Sequence, residues 1–508
     1  MKIPTFALGS ALWLLLTGAP TQAADYGFNL TDGAPPVKLN NSQGQHNRWS
    51  GVGYFSARRG CNASLLDTRA GDSDGPAYVL TNAHCFESSH NQTATEDTEL
   101  NIPITFNNFQ DTTDNQPSYA IKQINWLSLQ GENLAIAELD SRLSVIVESG
   151  IQPLKLSQET VEPTRFLLVG ASHHPEPLTL ALKSCTFQRS NDTLAYPWIW
   201  RNALNTQCNL LSSGASGSPV LDRQSNAIVA VLGQPPAARN AHLKCMDASP
   251  CDIVDSAPQW RPNTQHAHTV ENLAGCWSEG VLRPDPSYCK LFPSNIAILS
   301  PPKLTQLYLP AKAEAGLSAL FPTWNLNFSI TTPFYRHKVA SSALECESPH
   351  GYSEAIPSGN AYINSAMGSS EGFSALCIVG AHAEHQGPFW GDLKNASALA
   401  VLLTEQGNSW EPAIMPVSFG FIRPVLSQLT LHRDPYFNVR YFAKSGPPET
   451  TYCEATEGYV EIANDAFESD TFRIMRLTQS KRHCIYSHNI RGEQSAVASY
   501  LITARQGG

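Results

Sequence analysis

The sequence predicts a mainly β protein built from barrels or sandwiches of short strands. Charged residues make up only 15% of the 508 residues, and glycine and proline number 33 and 35. That composition suits short strands joined by many turns. Between about Trp49 and Gln234, apolar runs of strand length alternate with turn residues, as in "AYVLTNA", "NIPITF", "LAIAEL", "FLLVGAS" and "AIVAVLG". Their length and spacing favour strands of a barrel or sandwich.

The N-terminus has the pattern of a secretory signal peptide over residues 1–23. Lys2 provides a positive start, an apolar stretch runs from Phe6 to Leu16, and small residues up to Ala23 close it. This order of regions is typical of exported proteins. No later run reaches about 18 apolar residues, so no stable membrane span is expected. The chain is predicted to be secreted or periplasmic, with residues 24–47 as a polar N-terminal extension.

The cysteine count supports an oxidising compartment. An even number of cysteines in an exported chain implies disulfides, and the simplest order joins them sequentially, although other connectivities are open. No CxxC pair occurs, so neither a metal nor a cofactor is predicted. The twelve cysteines are Cys61, Cys85, Cys185, Cys208, Cys245, Cys251, Cys276, Cys289, Cys346, Cys377, Cys453 and Cys484.

The last 200 residues contain two similar segments. "CESPHGYSE" begins at Cys346 and "CEATEGYVE" at Cys453, and the second cysteines, Cys377 and Cys484, share the same offset of 107 residues. Two β-sandwiches of roughly 100 residues, each with one disulfide, are predicted over 305–410 and 411–508. They are spacers, or they bind a surface, a glycan or a substrate protein. A first domain over 48–300, rich in Pro, Asn and Cys at its end, precedes them.

The segment "LLSSGASGSPVLD", residues 210–222, places Ser216 in a glycine-rich turn. Such a turn is common in loops, so the segment alone does not establish a nucleophile. Gly214 allows an unusual backbone conformation in which the amides of Gly214 and Ser216 point the same way. Those two amides would form an oxyanion hole around the serine.

A candidate base lies in "YVLTNAHCFE", where His84 follows an apolar strand and precedes Cys85. A serine hydroxyl needs a base within hydrogen-bond reach, and that base needs a third group to orient it. A disulfide between Cys61 and Cys85 would join two strand ends and hold the loop that carries His84.

"LTNAHC" and "GASGSPV" resemble the paired histidine and serine motifs of chymotrypsin-like serine peptidases, trypsins in the broad sense. The serine motif is similar to the form found in bacterial glutamyl endopeptidases, and the resemblance covers about residues 48–240. It implies two six-stranded antiparallel β-barrels with the active site between them. It also implies His84 as general base, Ser216 as nucleophile, and a protein or peptide substrate.

The third position departs from that family. The family has an aspartate at the head of a short strand, whereas the matching stretch "GENLAIAELD" has Asn133. An amide can donate to the imidazole and stabilise the wrong tautomer. Three readings stay open: Asn133 orients His84 through its carbonyl oxygen, Glu132 substitutes although it should point to the opposite strand face, or the site is silent.

Two further departures concern activation and specificity. Ala215 replaces the aspartate that captures a new N-terminus in many trypsin-like zymogens, so that switch is not expected. Leu210 and Leu211 stand where a basic-residue pocket would have its aspartate, which predicts an apolar or small first pocket. The "AVLGQ" segment lacks the pocket histidine of the glutamyl-type relatives.

The remaining features exclude some functions. The net charge of −10 argues against nucleic-acid binding. His173, His174, His266 and His268 are interpreted as exposed loop histidines rather than metal ligands, because no cysteine or acid at zinc spacing accompanies them. The prediction is a serine endopeptidase. The alternatives are a catalytically silent protein on a protease fold, or an adhesin-like protein whose work lies in residues 305–508.

Overall fold

The structure is a computed structural model that describes residues 25–502 with interruptions. The omitted stretches inside that range are 58–59, 70–73, 87–94, 159–163, 173–177, 209–214, 234–244, 248, 262–263, 274, 284–288, 290, 292–294, 301–304, 308–321, 369–371, 386, 389, 405–413, 419–426, 433–437, 464–470, 475–478, 490–491 and 493. The predicted signal peptide lies outside the described residues.

The first strands close into a six-stranded antiparallel barrel that pairs in the order β2-β3-β4-β7-β6-β5. Alternate residues such as Phe55, Val79 and Ile104 are buried and fill its interior. This alternation is the sequence pattern of a closed sheet with one packed face. The elements are β1 (Val37–Lys38), β2 (Val52–Ser56), β3 (Gly60–Leu65), β4 (Pro76–Thr81), β5 (Thr95–Thr105), β6 (Ser118–Ser128), β7 (Leu134–Arg142) and the helix α1 (Leu143–Glu148).

The next strands belong to a 15-stranded sheet that contains the path β1-β9-β8-β12-β13-β16-β11. The predicted strands "FLLVGAS" and "AIVAVLG" lie in β8 and β13. This sheet continues through β11 into the C-terminal half of the chain. The strands are β8 (Arg165–Ser172), β9 (Thr179–Thr186), β10 (Gln188–Ala195), β11 (Trp198–Thr206), β12 (Pro219–Leu221), β13 (Ile228–Leu232), β14 (Cys251–Val254), β15 (Ala257–Gln259) and β16 (Gln265–Thr269). A separate two-stranded hairpin follows, β17 (Trp277–Ser278) and β18 (Val281–Leu282).

The described part of the N-terminal extension lies along this second set of strands. Val37 pairs with Leu182 of β9. Asp25 forms an ion pair with Arg223 at 2.9 Å. The extension therefore adds an edge strand to the large sheet.

The first C-terminal unit is a two-layer β structure. A sheet of β19, β21 and β24 packs against β22, β25 and β26 through a shared core that includes Phe328, Leu376 and Val401. Its elements are β19 (Ile296–Ser300), β20 (Thr305–Leu307), β21 (Leu326–Ile330), β22 (Phe334–Ala340), β23 (Ile356–Pro357), β24 (Tyr362–Ile363), β25 (Gly372–Ala381), the helix α2 (Trp390–Lys394) and β26 (Ser397–Thr404).

The second C-terminal unit has a three-stranded sheet, β27-β28-β31, and a four-stranded sheet, β30-β29-β32-β33. The two units make matching contacts: Tyr352 Oη donates to the Cys346 carbonyl at 2.8 Å, and Tyr459 Oη donates to the Cys453 carbonyl at 2.8 Å. That they are sequence repeats stays a prediction. The strands are β27 (Ile414–Ser418), β28 (Ser427–His432), β29 (Asn438–Gly446), β30 (Val460–Ile462), β31 (Thr471–Ile474), β32 (Lys481–Asn489) and β33 (Ala498–Ile502).

All twelve cysteines are paired, and the bonds follow sequence order. Disulfides of this number are typical of oxidising compartments. The described residues include no helix whose length and hydropathy would suit a bilayer.

The first C-terminal unit is attached to the second set of strands through β10 and β11. Trp198 of β11 pairs with Leu399 of β26, which joins the two halves in one sheet. The buried carboxylate of Asp192 accepts hydrogen bonds from Ser342 Oγ at 2.8 Å and from the Ala343 N–H at 3.0 Å. The interface therefore combines a sheet contact with a buried polar anchor.

Replacing Asp192 by alanine removes the acceptor for a buried N–H at this interface. We expect a loss of about 1–3 kcal/mol in the free energy of unfolding, measured as a lower urea midpoint. Asp140→Ala, on the exposed side of β7, is the control and should change stability by about 0.5 kcal/mol or less. Equal midpoints for the two variants would contradict the anchoring role.

Candidate active site

Ser216 lies in a tight turn just before β12. The turn closes with a hydrogen bond from the Ser218 N–H to the Ala215 carbonyl at 3.2 Å. Gly217 has φ +82, and a Cβ there would overlap the carbonyl oxygen of Asn62 and the hydroxyl of Thr81. Only glycine satisfies both the backbone angle and the lack of space. The turn that holds Ser216 therefore requires glycine at position 217.

His84 lies in a 3-10 turn, Ala83–Cys85, directly after β4. The disulfide between Cys61 and Cys85 joins this turn to β3. The backbone N–H of Asn62, the residue after Cys61, donates to the Ser216 carbonyl at 2.7 Å. The histidine turn and the serine turn are therefore both attached to β3.

Asn82 connects the three predicted site segments. Its Oδ1 accepts from the Gly217 N–H at 2.7 Å, and its Nδ2 donates to the Asn133 carbonyl at 2.9 Å. Since Asn82 lies two residues before His84, one side chain holds the serine turn, the histidine turn and the third position together. Sequence reasoning missed Asn82, although it stands inside the "LTNAHC" motif.

Asn133 precedes β7 and contacts His84 twice. Its Oδ1 accepts from the His84 backbone N–H at 3.2 Å, and its Nδ2 lies 2.9 Å from the imidazole Nδ1. A backbone N–H can only donate, so the amide oxygen must face it and the amide nitrogen must face the ring. The amide therefore donates to Nδ1.

This orientation decides the tautomer of a neutral His84. A nitrogen that accepts a hydrogen bond carries a lone pair, so the single ring proton belongs on Nε2. In a serine peptidase triad, Nε2 is the atom that takes the serine proton. The resting arrangement therefore favours the tautomer that is not ready to act as a base.

His268 is a site residue that sequence reasoning misplaced. The prediction of an exposed loop histidine is wrong, because His268 is 2% exposed and lies in β16. Its Nδ1 accepts from the Asn133 N–H at 3.2 Å, and its ring packs edge-on against Trp200 with centroids 4.7 Å apart. Burial, with the nearby imidazoles of His266 and His84, lowers the pKa of His268 to about 3.

The exposed-loop prediction is also wrong for His266. It lies two residues earlier in the same strand, and its Nε2 is 2.9 Å from Asp252 Oδ1 in a buried pair. The same oxygen accepts from Ser190 Oγ at 2.9 Å. The alternating "QHAH" pattern places both histidines on one face of a strand, which was the available signal.

One cluster of three metal-ligating residue types occurs among the described residues, Cys61, His84 and Cys85. Its two sulfur atoms are joined in a disulfide, and metals bind thiolates. The cluster therefore offers no ligand set.

Glu132 belongs to a different environment from Asn133. It lines a small polar cavity with Gln130, Arg201, Asn272 and Lys394. Burial raises the pKa of Glu132 to about 7, against the opposing effects of the Arg201 charge and a hydrogen bond with Asn272. The group bound to His84 Nδ1 is the Asn133 amide.

Several predicted residues lie outside the described residues. These are Gly214 of the expected oxyanion hole, Leu210 and Leu211 of the expected pocket, and His173 and His174. Ser216 itself is 6% exposed.

Residues 70–231 match the family model described as "Trypsin-like peptidase domain". This match covers less than half of the chain and includes His84, Asn133 and Ser216. The comparison with curated proteins finds no match. The chain thus contains a region similar to trypsin-like peptidase domains, which supports a protease.

Solved structures similar to the chain include the following three. The thermostable serine protease AL20 from an extremophilic microorganism shares 14% identity over 44% of this chain and 92% of its own, with a TM-score of 0.29. The protease Anisep from Arthrobacter nicotinovorans shares 11% identity over 44% of this chain and 91% of its own, with a TM-score of 0.28. A mutant of human heparin binding protein shares 14% identity over 47% of this chain and 92% of its own, with a TM-score of 0.29.

Substituting alanine for Gly217 should disrupt the turn beside Ser216. The added Cβ meets backbone at a residue with φ +82, so we expect more than about 3 kcal/mol of destabilisation in chemical unfolding. Gly150→Ala is a matched control, since Gly150 has φ +95 and nothing within 4 Å of its Cβ position. That control should lose only about 1–2 kcal/mol of backbone strain, and a similar loss in both variants would contradict the steric reading.

The pKa of His268 predicts a pH-dependent contribution to stability. Its folded pKa of about 3 lies below the unfolded value of 6.5, so the unfolded state binds the proton more readily. The contribution of His268 to the free energy of unfolding is complete above pH 6.5. It falls by about 1.4 kcal/mol for each pH unit below that value. The stability difference between the wild type and His268→Gln should therefore shrink from pH 7 to pH 5 in urea titrations; a constant difference would refute it.

Proposed function

We propose that the chain is an exported serine endopeptidase of low intrinsic turnover, with Ser216 as nucleophile, His84 as general base and Asn133 in the third position. The observation that carries this proposal is the hydrogen-bond chain from Gly217 through Asn82 to Asn133 and His84. It joins the serine and histidine turns at one point of the fold.

The reaction requires a change at the Asn133 amide. Ser216 Oγ attacks the peptide carbonyl while His84 Nε2 accepts its proton, so the ring must carry its other proton on Nδ1. Turning the amide would place Oδ1 against Nδ1–H, but the amide nitrogen would then face the His84 N–H. Losing that hydrogen bond costs about 1–3 kcal/mol, which leaves a competent fraction reduced about 5- to 150-fold.

The rest of the assignment follows the motif around the serine. The amides of Gly214 and Ser216 hold the oxyanion, and Leu210 and Leu211 favour an apolar residue before the cleaved bond. No metal or cofactor takes part in these steps.

A second candidate function is a catalytically silent protein that uses the protease fold for binding. The orientation of the Asn133 amide favours it, because the His84 backbone N–H holds the oxygen away from the ring. If the amide cannot turn, His84 remains in the inactive tautomer and the site binds peptides without cleaving them.

The substitution Asn133→Asp distinguishes the two. A carboxylate accepts from both the His84 N–H and Nδ1–H, so the reactive tautomer becomes the resting one. We expect a fluorophosphonate probe to label Ser216 at least about tenfold faster, with about 10⁴-fold as the upper bound set by the reverse change in chymotrypsin-type enzymes. Ser216→Ala in both backgrounds is the control.

Wild-type labelling above that control supports the slow endopeptidase. Labelling only after Asn133→Asp supports the silent protein. No labelling in either background would contradict the assignment of Ser216 as nucleophile and His84 as general base.

A further inference from the structure

The loop that carries Asn133 joins two paired neighbouring strands of the first barrel, β6 and β7. β6 ends at Ser128 and β7 begins at Leu134, so residues 129–133 lie outside the strand pairing. Gly131 in the middle has φ +85. What holds this loop decides where the Asn133 side chain meets His84.

Part of the loop is held by residues that precede the first C-terminal unit in the chain. Trp200 Nε1 donates to the Leu129 carbonyl at 3.0 Å, and the Arg201 N–H donates to the Gly131 carbonyl at 3.2 Å. The Asn133 N–H donates to His268 Nδ1 at 3.2 Å. Every one of these partners lies on β11 or β16, which are strands of the large sheet.

Gln130 connects the same loop to the first C-terminal unit. Its Nε2 donates to the Ile296 carbonyl at 2.6 Å, and its Oε1 accepts from the Ile296 N–H at 3.4 Å. Both ends of one amide thus bind one residue of β19. Gln130 is 5% exposed, so water does not readily replace these bonds.

Arg201 makes the second connection. Its Nη2 donates to the carbonyl of Lys394, the last residue of α2, at 2.8 Å. Its backbone holds Gly131, and its charge faces Glu132. Lys394 is in turn paired with Glu347 of the same C-terminal unit. One residue therefore contacts both the loop and the C-terminal helix.

We propose that Gln130 and Arg201 are positioning residues, and that through them the first C-terminal unit sets the geometry between Asn133 and His84. On this proposal the first C-terminal unit is required for the geometry of the active site and is not only a spacer. A bulky or charged ligand that moved β19 or α2 would change the loop, and so the site. This inference rests on the proposed roles of Asn133 and His84.

The alternative is that these contacts only add stability. The hydrogen bond between Ser342 and Asp192 provides the matched control, because it belongs to the same interface and joins two residues outside the 129–133 loop. Ser342→Ala should weaken the interface to a similar extent without moving Asn133.

The test uses the full chain with Gln130→Met, which keeps the size of the side chain and removes both hydrogen bonds to Ile296. Arg201→Met is the second variant, and Ser342→Ala is the control. The first readout is the rate of fluorophosphonate labelling of Ser216 in the Asn133→Asp background. We expect about a tenfold decrease for Gln130→Met and Arg201→Met, as for the loss of about 1.4 kcal/mol of transition-state stabilisation, and less than twofold for Ser342→Ala.

The second readout does not require activity. In the chain with Asn133 and ¹⁵N-labelled histidine, the His84 signals, assigned with His84→Gln, report which ring nitrogen carries the proton. We expect the Nε2–H tautomer in the wild type and in Ser342→Ala, and a mixture of tautomers in Gln130→Met and Arg201→Met.

Two patterns separate the outcomes. If nothing labels Ser216 in any background while the His84 signals change only in Gln130→Met and Arg201→Met, the proposed function fails and the positioning role stands. If the His84 signals and the labelling rates of Gln130→Met match those of Ser342→Ala at equal stability, the positioning role is overturned. Rescue of the labelling rate by Arg201→Lys would further support it, since a lysine can still donate to the Lys394 carbonyl.

Discussion

The candidate site depends on one backbone donor. The His84 N–H needs an acceptor, and the oxygen of the Asn133 amide provides it at 3.2 Å. Because an amide has one oxygen and one nitrogen, the nitrogen must then meet the imidazole. A carboxylate in the same place would accept from both the His84 N–H and the imidazole Nδ1–H. The exchange of one oxygen for one nitrogen in this side chain therefore decides whether His84 rests as the Nδ1–H tautomer, which can act as a base, or as the Nε2–H tautomer.

The surroundings of Asn133 hold the residue through its backbone, and these contacts do not depend on its side chain. Its N–H is bound by a histidine that stays neutral, since burial lowers the pKa of His268 to about 3. Its carbonyl is bound by Asn82, which also binds the serine turn. Backbone contacts of this kind would accept an aspartate equally well, so the departure at the third position lies in the side chain of Asn133 alone.

The two halves of the chain share a sheet and a polar interface. The pairing of Trp198 with Leu399 continues the large sheet into the first C-terminal unit. The Gln130 and Arg201 contacts also join these two parts of the chain. A unit joined through a sheet and buried hydrogen bonds moves less freely than one joined by a linker. A displacement of the first C-terminal unit would therefore act directly on the 129–133 loop through these contacts.

The sequence by itself determined the β class, the strands around "FLLVGAS" and "AIVAVLG", the motifs of His84 and Ser216, and the asparagine at position 133, because alternation and motif spacing are local. Only the tertiary structure decided which way the Asn133 amide faces, that His266 and His268 are buried, and that the C-terminal unit touches the 129–133 loop. These depend on groups far apart in the chain: Asn82 and Gly217 are 135 residues apart, as are Asn133 and His268. The direction of a hydrogen bond between such groups is set by the fold that brings them together.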